Sequence, residues 1–356
     1  MPNLYNPFVE VIRVIPWLDS LSDIVQIAIA GIIAAVAVFL IICVFALFAI
    51  WLERKVSAHA QDRLGPMETG WHGVLQTVAD ALKLLLKEDI IPAKVDRKLF
   101  VFAPVIVFMT AIAVFVVIPF GERIIISDLN IGIVYALAIS GLVVPGIIMA
   151  GWASNNKWSL LGAMRSAAQI VSYEIPVGLS VVCVIMIVGS LSMQEIVRFQ
   201  EGAFWNWLVF DYRLLPFNII VFLIYFVGSI AEINRTPFDL PEAESELVAG
   251  FMTEYTGMRW AFFFLAEYGN MFAVSAIATT MFFGGWHAPF RILEVIPGTV
   301  WFLSKVLILV FLQMWLRWTL PRLRVDQLMY VCWKVLVPFG FLCVIGVGIW
   351  QILGVR

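Results

Sequence analysis

Charged side chains are scarce in this sequence: Asp, Glu, Lys and Arg make up 13% of its 356 residues, where a soluble chain carries about a quarter. With 62% hydrophobic residues, too little polar surface remains to cover a soluble core, so the chain reads as a membrane protein. Blocks of Lys and Arg are missing as well, and the net charge is −2. Nucleic acid is therefore excluded as a partner, because a polyanion is bound by grouped cations. Paired cysteines are also lacking. Cys43, Cys183, Cys332 and Cys343 lie singly in apolar runs, without the CxxC spacing of metal or iron–sulfur ligands, so no redox centre is expected in this chain. His59, His72 and His287 have no metal-ligating partner at a useful spacing and read as lone histidines. The first 23 residues carry Glu10, Arg13, Asp19 and Asp23 and lack the layout of a signal peptide, so no cleavage is expected. An inverted repeat of the kind built into many transporters is not visible.

What remains is long charge-poor runs. About 20 apolar residues cross the hydrocarbon of a bilayer, and eight stretches qualify: 24–52, 99–121, 129–156, 166–194, 214–231, 260–290, 295–316 and 327–355. The expectation is an all-α, polytopic membrane protein forming a single membrane domain over 1–356. An even number of spans puts both termini on one side. Odd-numbered loops hold fifteen Lys and Arg residues, eight of them in loop one, against six (Arg13, Arg123, Arg198, Arg213, Arg291 and Arg356) on the other side. By the positive-inside rule the odd loops are cytoplasmic and both termini lie outside. Within loop one, Trp71, Val74, Leu75, Val78, Leu82, Leu85 and Leu86 recur at helical spacing opposite His72, Gln76, Asp80, Lys83 and Lys87. This predicts an amphipathic helix over 71–88, lying on the membrane surface or capping partner subunits.

The few ionisable residues mark the candidate sites. Glu174 stands in an otherwise uncharged stretch, and a carboxylate in hydrocarbon must face protein or water. Lys305 sits too deep in its span for easy snorkelling, whereas Glu267 and Lys334 lie nearer helix ends, where an interfacial charge is an ordinary alternative. Loop five holds Glu232, Arg235, Asp239, Glu242, Glu244, Glu246 and Glu254. Pro237 and Pro241 prevent a continuous helix there, and Asp239 with Glu242 can form a capping box for a new one. The remaining acids are either a solvated loop or a partly buried functional cluster, in which mutual repulsion would keep at least one carboxyl protonated.

Five stretches carry a family resemblance: Glu53-Arg54-Lys55 with Gln61-Asp62-Arg63-Leu64-Gly65-Pro66; Gly151-Trp152-Ala153-Ser154 through Lys157; the run from Ala231 through Arg235, Asp239, Glu242 and Glu246 to Val248; Phe264-Leu265-Ala266-Glu267-Tyr268; and Thr319-Leu320-Pro321-Arg322 with Asp326-Gln327-Leu328. They resemble the H-subunit family of bacterial NADH:quinone oxidoreductase, counterpart of mitochondrial NADH dehydrogenase subunit 1 in respiratory complex I. The likeness covers the chain beyond residue 24, and Met67 departs from it, since Asn is usual after that Gly-Pro. The resemblance implies a proton-translocating complex in the bacterial inner membrane in which this subunit anchors the hydrophilic arm and forms much of a quinone chamber. Quinone is then the substrate, and FMN and iron–sulfur clusters are expected on partner subunits. By motif position it implies Glu53, Arg54, Arg63, Asp239 and Arg317 near the quinone. It further implies a carboxylate path of Glu174, Glu232, Glu242, Glu244, Glu246, Glu254 and Glu267, with Lys157, Arg165 and Arg235 beside it. A membrane subunit of energy-converting [NiFe] hydrogenases and a secondary transporter are the alternatives.

Overall fold

The computed structural model describes residues 23–240 and 244–353, with side chains over 25–240 and 246–353. All regular structure among them is helical. The long helices are α1 (Asp23–Ala60), α3 (Arg97–Ala113), α6 (Lys157–Val188), α8 (Phe217–Glu232), α10 (Gly257–Phe282), α11 (Gly298–Thr319) and α13 (Val337–Ile352). Shorter ones are α2 (Gln76–Leu86), α4 (Gly132–Gly141), α5 (Val143–Ala153), α7 (Met193–Phe199), α9 (Glu244–Leu247) and α12 (Val325–Tyr330). Seven segments are long and apolar enough to cross a membrane, α4 with α5 and α12 with α13 each counting as one, and α8 is a shorter apolar helix. The chain is a polytopic helical membrane protein of about eight spans.

Local chemistry sets the helix ends, and three of them move the site residues. α1 does not stop where charge begins; it runs on through Glu53 and Arg54 to Ala60. Neighbouring residues on a helix point about 100° apart, so Glu53 and Arg54 face different partners. α6 begins at Lys157, earlier than the uncharged stretch, because the Asn156 side chain accepts from Trp158 N at 3.0 Å and caps it. Lys157 and Arg165, counted above as loop cations, are therefore helical, as is Arg317 in the last turn of α11. α8 has only 16 residues, about 24 Å of rise against a hydrocarbon thickness of about 30 Å. Its C-terminal residue Glu232 is half-buried, and the loop that follows runs inside the bundle, with Ile233, Arg235, Pro237 and Phe238 buried.

Two expected spans are interrupted. The third breaks at Leu142, whose N–H turns to the Ile139 carbonyl at 3.0 Å. The last passes through a π-helical turn, Val331–Leu336. The predicted 71–88 helix is also split, into a short 3₁₀ turn at Trp71–Gly73 and α2. Gly73 has φ +74°, and a Cβ there would fall 2.2 Å from the Pro66 carbonyl oxygen, so only glycine makes this turn. Trp71, Leu82, Leu85 and Leu86 stay exposed on the apolar side. Asp80, on the polar side of that pattern, pairs with Arg54 of α1, 2.6 Å away. At the centre of the bundle α6 packs on α5, α8 and α13, and α10 packs on α1, α3 and α11. Glu232 at the end of α8 and Arg235 in the loop after it come between these two sets.

Candidate functional site

Three helices and one loop bring opposite charges together in the interior. Glu53 of α1 receives hydrogen bonds from Arg235 Nη1 at 3.0 Å, Arg317 Nη1 at 2.5 Å and Tyr268 Oη at 2.7 Å. Arg235 also donates from Nε to Glu267 at 2.6 Å, and its guanidinium lies 4.4 Å from the centre of the Tyr268 ring. The Arg235 side chain is 2% exposed and that of Glu53 7%. Two acids and two arginines balance in charge, which is what makes ions tolerable at such burial. Each donor comes from a different element, so the network reports how α1, α10, α11 and loop five are packed.

Beside this network lie two small cavities. One, of about 50 Å³, is bordered by Ser140, Gly141, Glu174, Tyr225, Glu232 and Asn270. The other, of about 40 Å³, is bordered by Glu232, Asn234, Glu267 and Asn270. Each exceeds the roughly 10–15 Å³ that one water needs, and each has polar partners to hold one. Glu232 and Asn270 border both. Glu232 Oε1 is buried without a protein hydrogen-bond partner. Through these cavities the carboxyls of Glu174, Glu232 and Glu267 form a series, and Glu267 joins it to Arg235, Glu53 and Arg317.

On the other face of α1 an open groove of about 340 Å³ runs between α1, α2 and α10. Phe39, Ile50, Leu84, Trp260 and Phe264 give it apolar walls, and the Arg54–Asp80 pair also lines it. Its volume and lining suit a mostly apolar ligand with one polar end.

The other residues singled out from sequence lie apart from this set. Arg63 is exposed and donates to Gln61 at 2.7 Å. Lys157 is exposed, 5.3 Å from the Trp158 ring. Arg165 bonds Glu246 at 2.7 Å across an exposed edge, and that bond holds the Glu246 carboxyl below the usual carboxylate range. Glu254 accepts from Asn156 Nδ2 at 2.8 Å. Asp239 is half-buried in the loop. Glu242, and the side chain of Glu244, lie outside the described residues, and so does the expected capping box. Lys305 spends its three protons on the carbonyls of Phe283, Gly285 and His287 at 2.7 to 2.9 Å, just past the C-terminus of α10. It stands about 18 Å along α11 from Arg317 and staples that end of the bundle. Sequence reasoning missed Tyr268, Asn270, Asp80 and Gln169. Of these only Gln169 has a signal in the sequence, an amide within a predicted span, and a search for ionisable groups does not catch it.

The NADH dehydrogenase family model matches residues 33–348. Over 351 residues, 94% of this chain and 97% of the relative, the sequence is 50% identical to the NADH-quinone oxidoreductase H subunit of Chlorobaculum tepidum. The chain belongs to the H-subunit family of NADH-quinone oxidoreductase. The H subunit from Anaeromyxobacter dehalogenans is 51% identical over 326 residues, covering 86% of this chain and 78% of that protein. One from a Geobacillus strain is 50% identical over 308 residues, covering 86% and 89%. These matches lend no support to the hydrogenase-subunit or transporter readings. Among the described residues no group of three or more His, Cys, Asp or Glu could hold a metal ion, and the four cysteines are free thiols. The family is that of a membrane subunit of complex I, and the helices here have the length and apolarity of such a subunit.

Proposed function

We propose that this chain is the membrane subunit of a proton-translocating NADH:quinone oxidoreductase that houses the quinone site and passes the effect of quinone reduction into the membrane arm. The observation that carries the reading is the continuity of the Arg317–Glu53–Arg235–Glu267 network with the two carboxylate-lined cavities. Electrons arrive from an iron–sulfur centre on a partner subunit of the hydrophilic arm, which also carries FMN. Quinone takes up two electrons and two protons to give quinol, so charge near the ion network changes during turnover. Arg235 and Glu267 transmit that change, because an altered field at Glu53 alters the balance of every group bonded to it. Glu232 and Glu174, sharing one cavity, then exchange a proton through it. Glu53, Arg54, Arg317 and Asp239 serve the quinone end, and Glu174, Glu232 and Glu267 the proton path. By motif position Arg63 also belongs to the quinone end, and Glu242, Glu244, Glu246 and Glu254 to the proton path, with Lys157 and Arg165 beside it.

The groove is the quinone's entry, its walls taking the isoprenoid tail while Arg54 meets the headgroup. Two variants test this. Ala81→Trp fills the groove from α2, and Arg54→Ala removes its cation; each is expected to raise the apparent quinone KM about tenfold, the loss of roughly one good contact, with the complex assembled. Unchanged quinone kinetics in both would exclude the groove.

In keeping with its bacterial relatives the membrane is a bacterial inner membrane, and the charge asymmetry favours cytoplasmic odd loops with both termini outside. Single cysteines placed at Ile90 and Leu320, both exposed, are expected to react with an impermeant maleimide only from the cytoplasmic face. Three native thiols are buried, which keeps the background low. Labelling from outside would reverse the orientation.

A further inference from the structure

Gln169 lies on α6 between Arg165 and Glu174 and is 1% exposed. Its Nε2 donates to the Phe238 carbonyl at 2.7 Å and the Ala231 carbonyl at 2.8 Å, with Asn234 Oδ1 at 3.1 Å. All three neighbours are acceptors, so the amide can sit only one way round. Ala231 belongs to the last turn of α8, and Phe238 lies past the bend that comes after it. One amide therefore clips the two ends of the loop that carries Glu232 and Arg235. Asn234, at φ 58°, adds a second tie by donating Nδ2 to Ser166 Oγ on α6 at 3.0 Å.

The burial of this loop explains why such a clip is needed. The chain leaves its helix inside the bundle, where irregular backbone persists only if its polar groups find partners within the protein. Gln169 supplies two of those partners, and they fall on opposite sides of the bend. Glu232, next to Ala231, borders both cavities, and Arg235 anchors the ion network. Neither residue touches Gln169 through its own side chain, yet the path of both is set by the carbonyls it holds.

We propose that Gln169 is a positioning residue that makes the Glu232 and Arg235 ends of this loop move as one body, so that a displacement of Arg235 at the quinone end is delivered to Glu232 at the cavity end. The inference rests on the functional reading above. It separates two properties that a packing role would not: quinone binding, which lies at the groove, and the conversion of reduction into proton movement, which runs through the loop.

The test uses the assembled complex in sealed membrane vesicles, with NADH:quinone turnover, quinone KM and protons moved per quinone reduced all measured per assembled complex. Gln169→Met keeps the length and removes the donors; Gln169→Glu keeps the shape and, when ionised, turns oxygen toward two carbonyls. For each, kcat is expected to fall about tenfold, the scale of one buried acceptor left unmade. The quinone KM should stay within about twofold, and the protons moved per quinone should drop. Whichever variant assembles decides the question. Wild-type coupling in an assembled variant overturns the proposal, as does a change in quinone KM without a change in coupling. Failure of both variants to assemble overturns it too, since that is the behaviour of a residue that only holds the fold. Glu232→Gln in the same vesicles reports separately on the underlying reading: if it pumps normally that reading falls, and if it fails beside normal Gln169 variants only the clip does.

Discussion

Replacing Arg235 by leucine is expected to cost the complex its assembly or, where some assembles, at least about a hundredfold of its quinone reductase activity. Arg235 donates to Glu53 and Glu267 and covers the Tyr268 ring, with its side chain 2% exposed. Removing one partner of a buried ion pair costs about 3–5 kcal/mol, because the remaining charge is stranded. Here two carboxylates lose a shared partner. Glu53 keeps Arg317 and Tyr268, whereas Glu267 has no other charged partner among the ion pairs of the described residues. Arg235→Lys should not rescue the activity, since an ammonium cannot span two acids and lie flat on a ring as a guanidinium does. Combining Arg235→Leu with Glu267→Gln removes the stranded charge, so assembly on native gels should return in part while quinone turnover stays lost. If Arg235→Leu assembles and turns over normally, the network is a bystander.

The second large effect is expected at the cavities. Glu232→Gln keeps shape and volume, so the complex should assemble, but proton pumping should be abolished and quinone reductase activity should fall about tenfold or more, the contribution typical of a lost proton-transfer group. The reason is position: Glu232 borders both cavities, and one of its oxygens has no protein partner to replace the proton it would carry. Glu174→Gln should behave alike. Because the two carboxyls stand in series, the double variant should be no worse than the more damaging single one. Additive losses of quinone reductase activity would mean parallel routes. Glu246→Gln is expected to do less than either, because Glu246 is ionised in an exposed pair with Arg165, and exposed pairs contribute about 1 kcal/mol or less. Burial separates Glu232 from Glu246 more sharply than sequence distance does.

Hydropathy alone determined that the chain is helical, crosses a membrane about eight times and carries Glu174 where a charge must have a purpose, because the requirement for about 20 apolar residues per crossing is local and one-dimensional. The long acidic motif likewise pointed to the family without any coordinates. Which charges meet was decided only by packing. Glu53 finds Arg235 and Arg317 at 182 and 264 residues' distance, and no spacing rule reaches so far. Lys305 and Glu174 read alike in the sequence, each an ionisable group in a span. The fold closes three carbonyls around Lys305 and sets Glu174 beside a cavity. Asp80 of loop one pairs with Arg54 of α1, and the buried loop after α8 is bonded to Gln169 on both sides of its bend. The physical reason is common to all of these. Burying an apolar face needs only a helix and a neighbour, whereas a buried charge or carbonyl is satisfied by one particular group, and where that group lies depends on how every helix is packed.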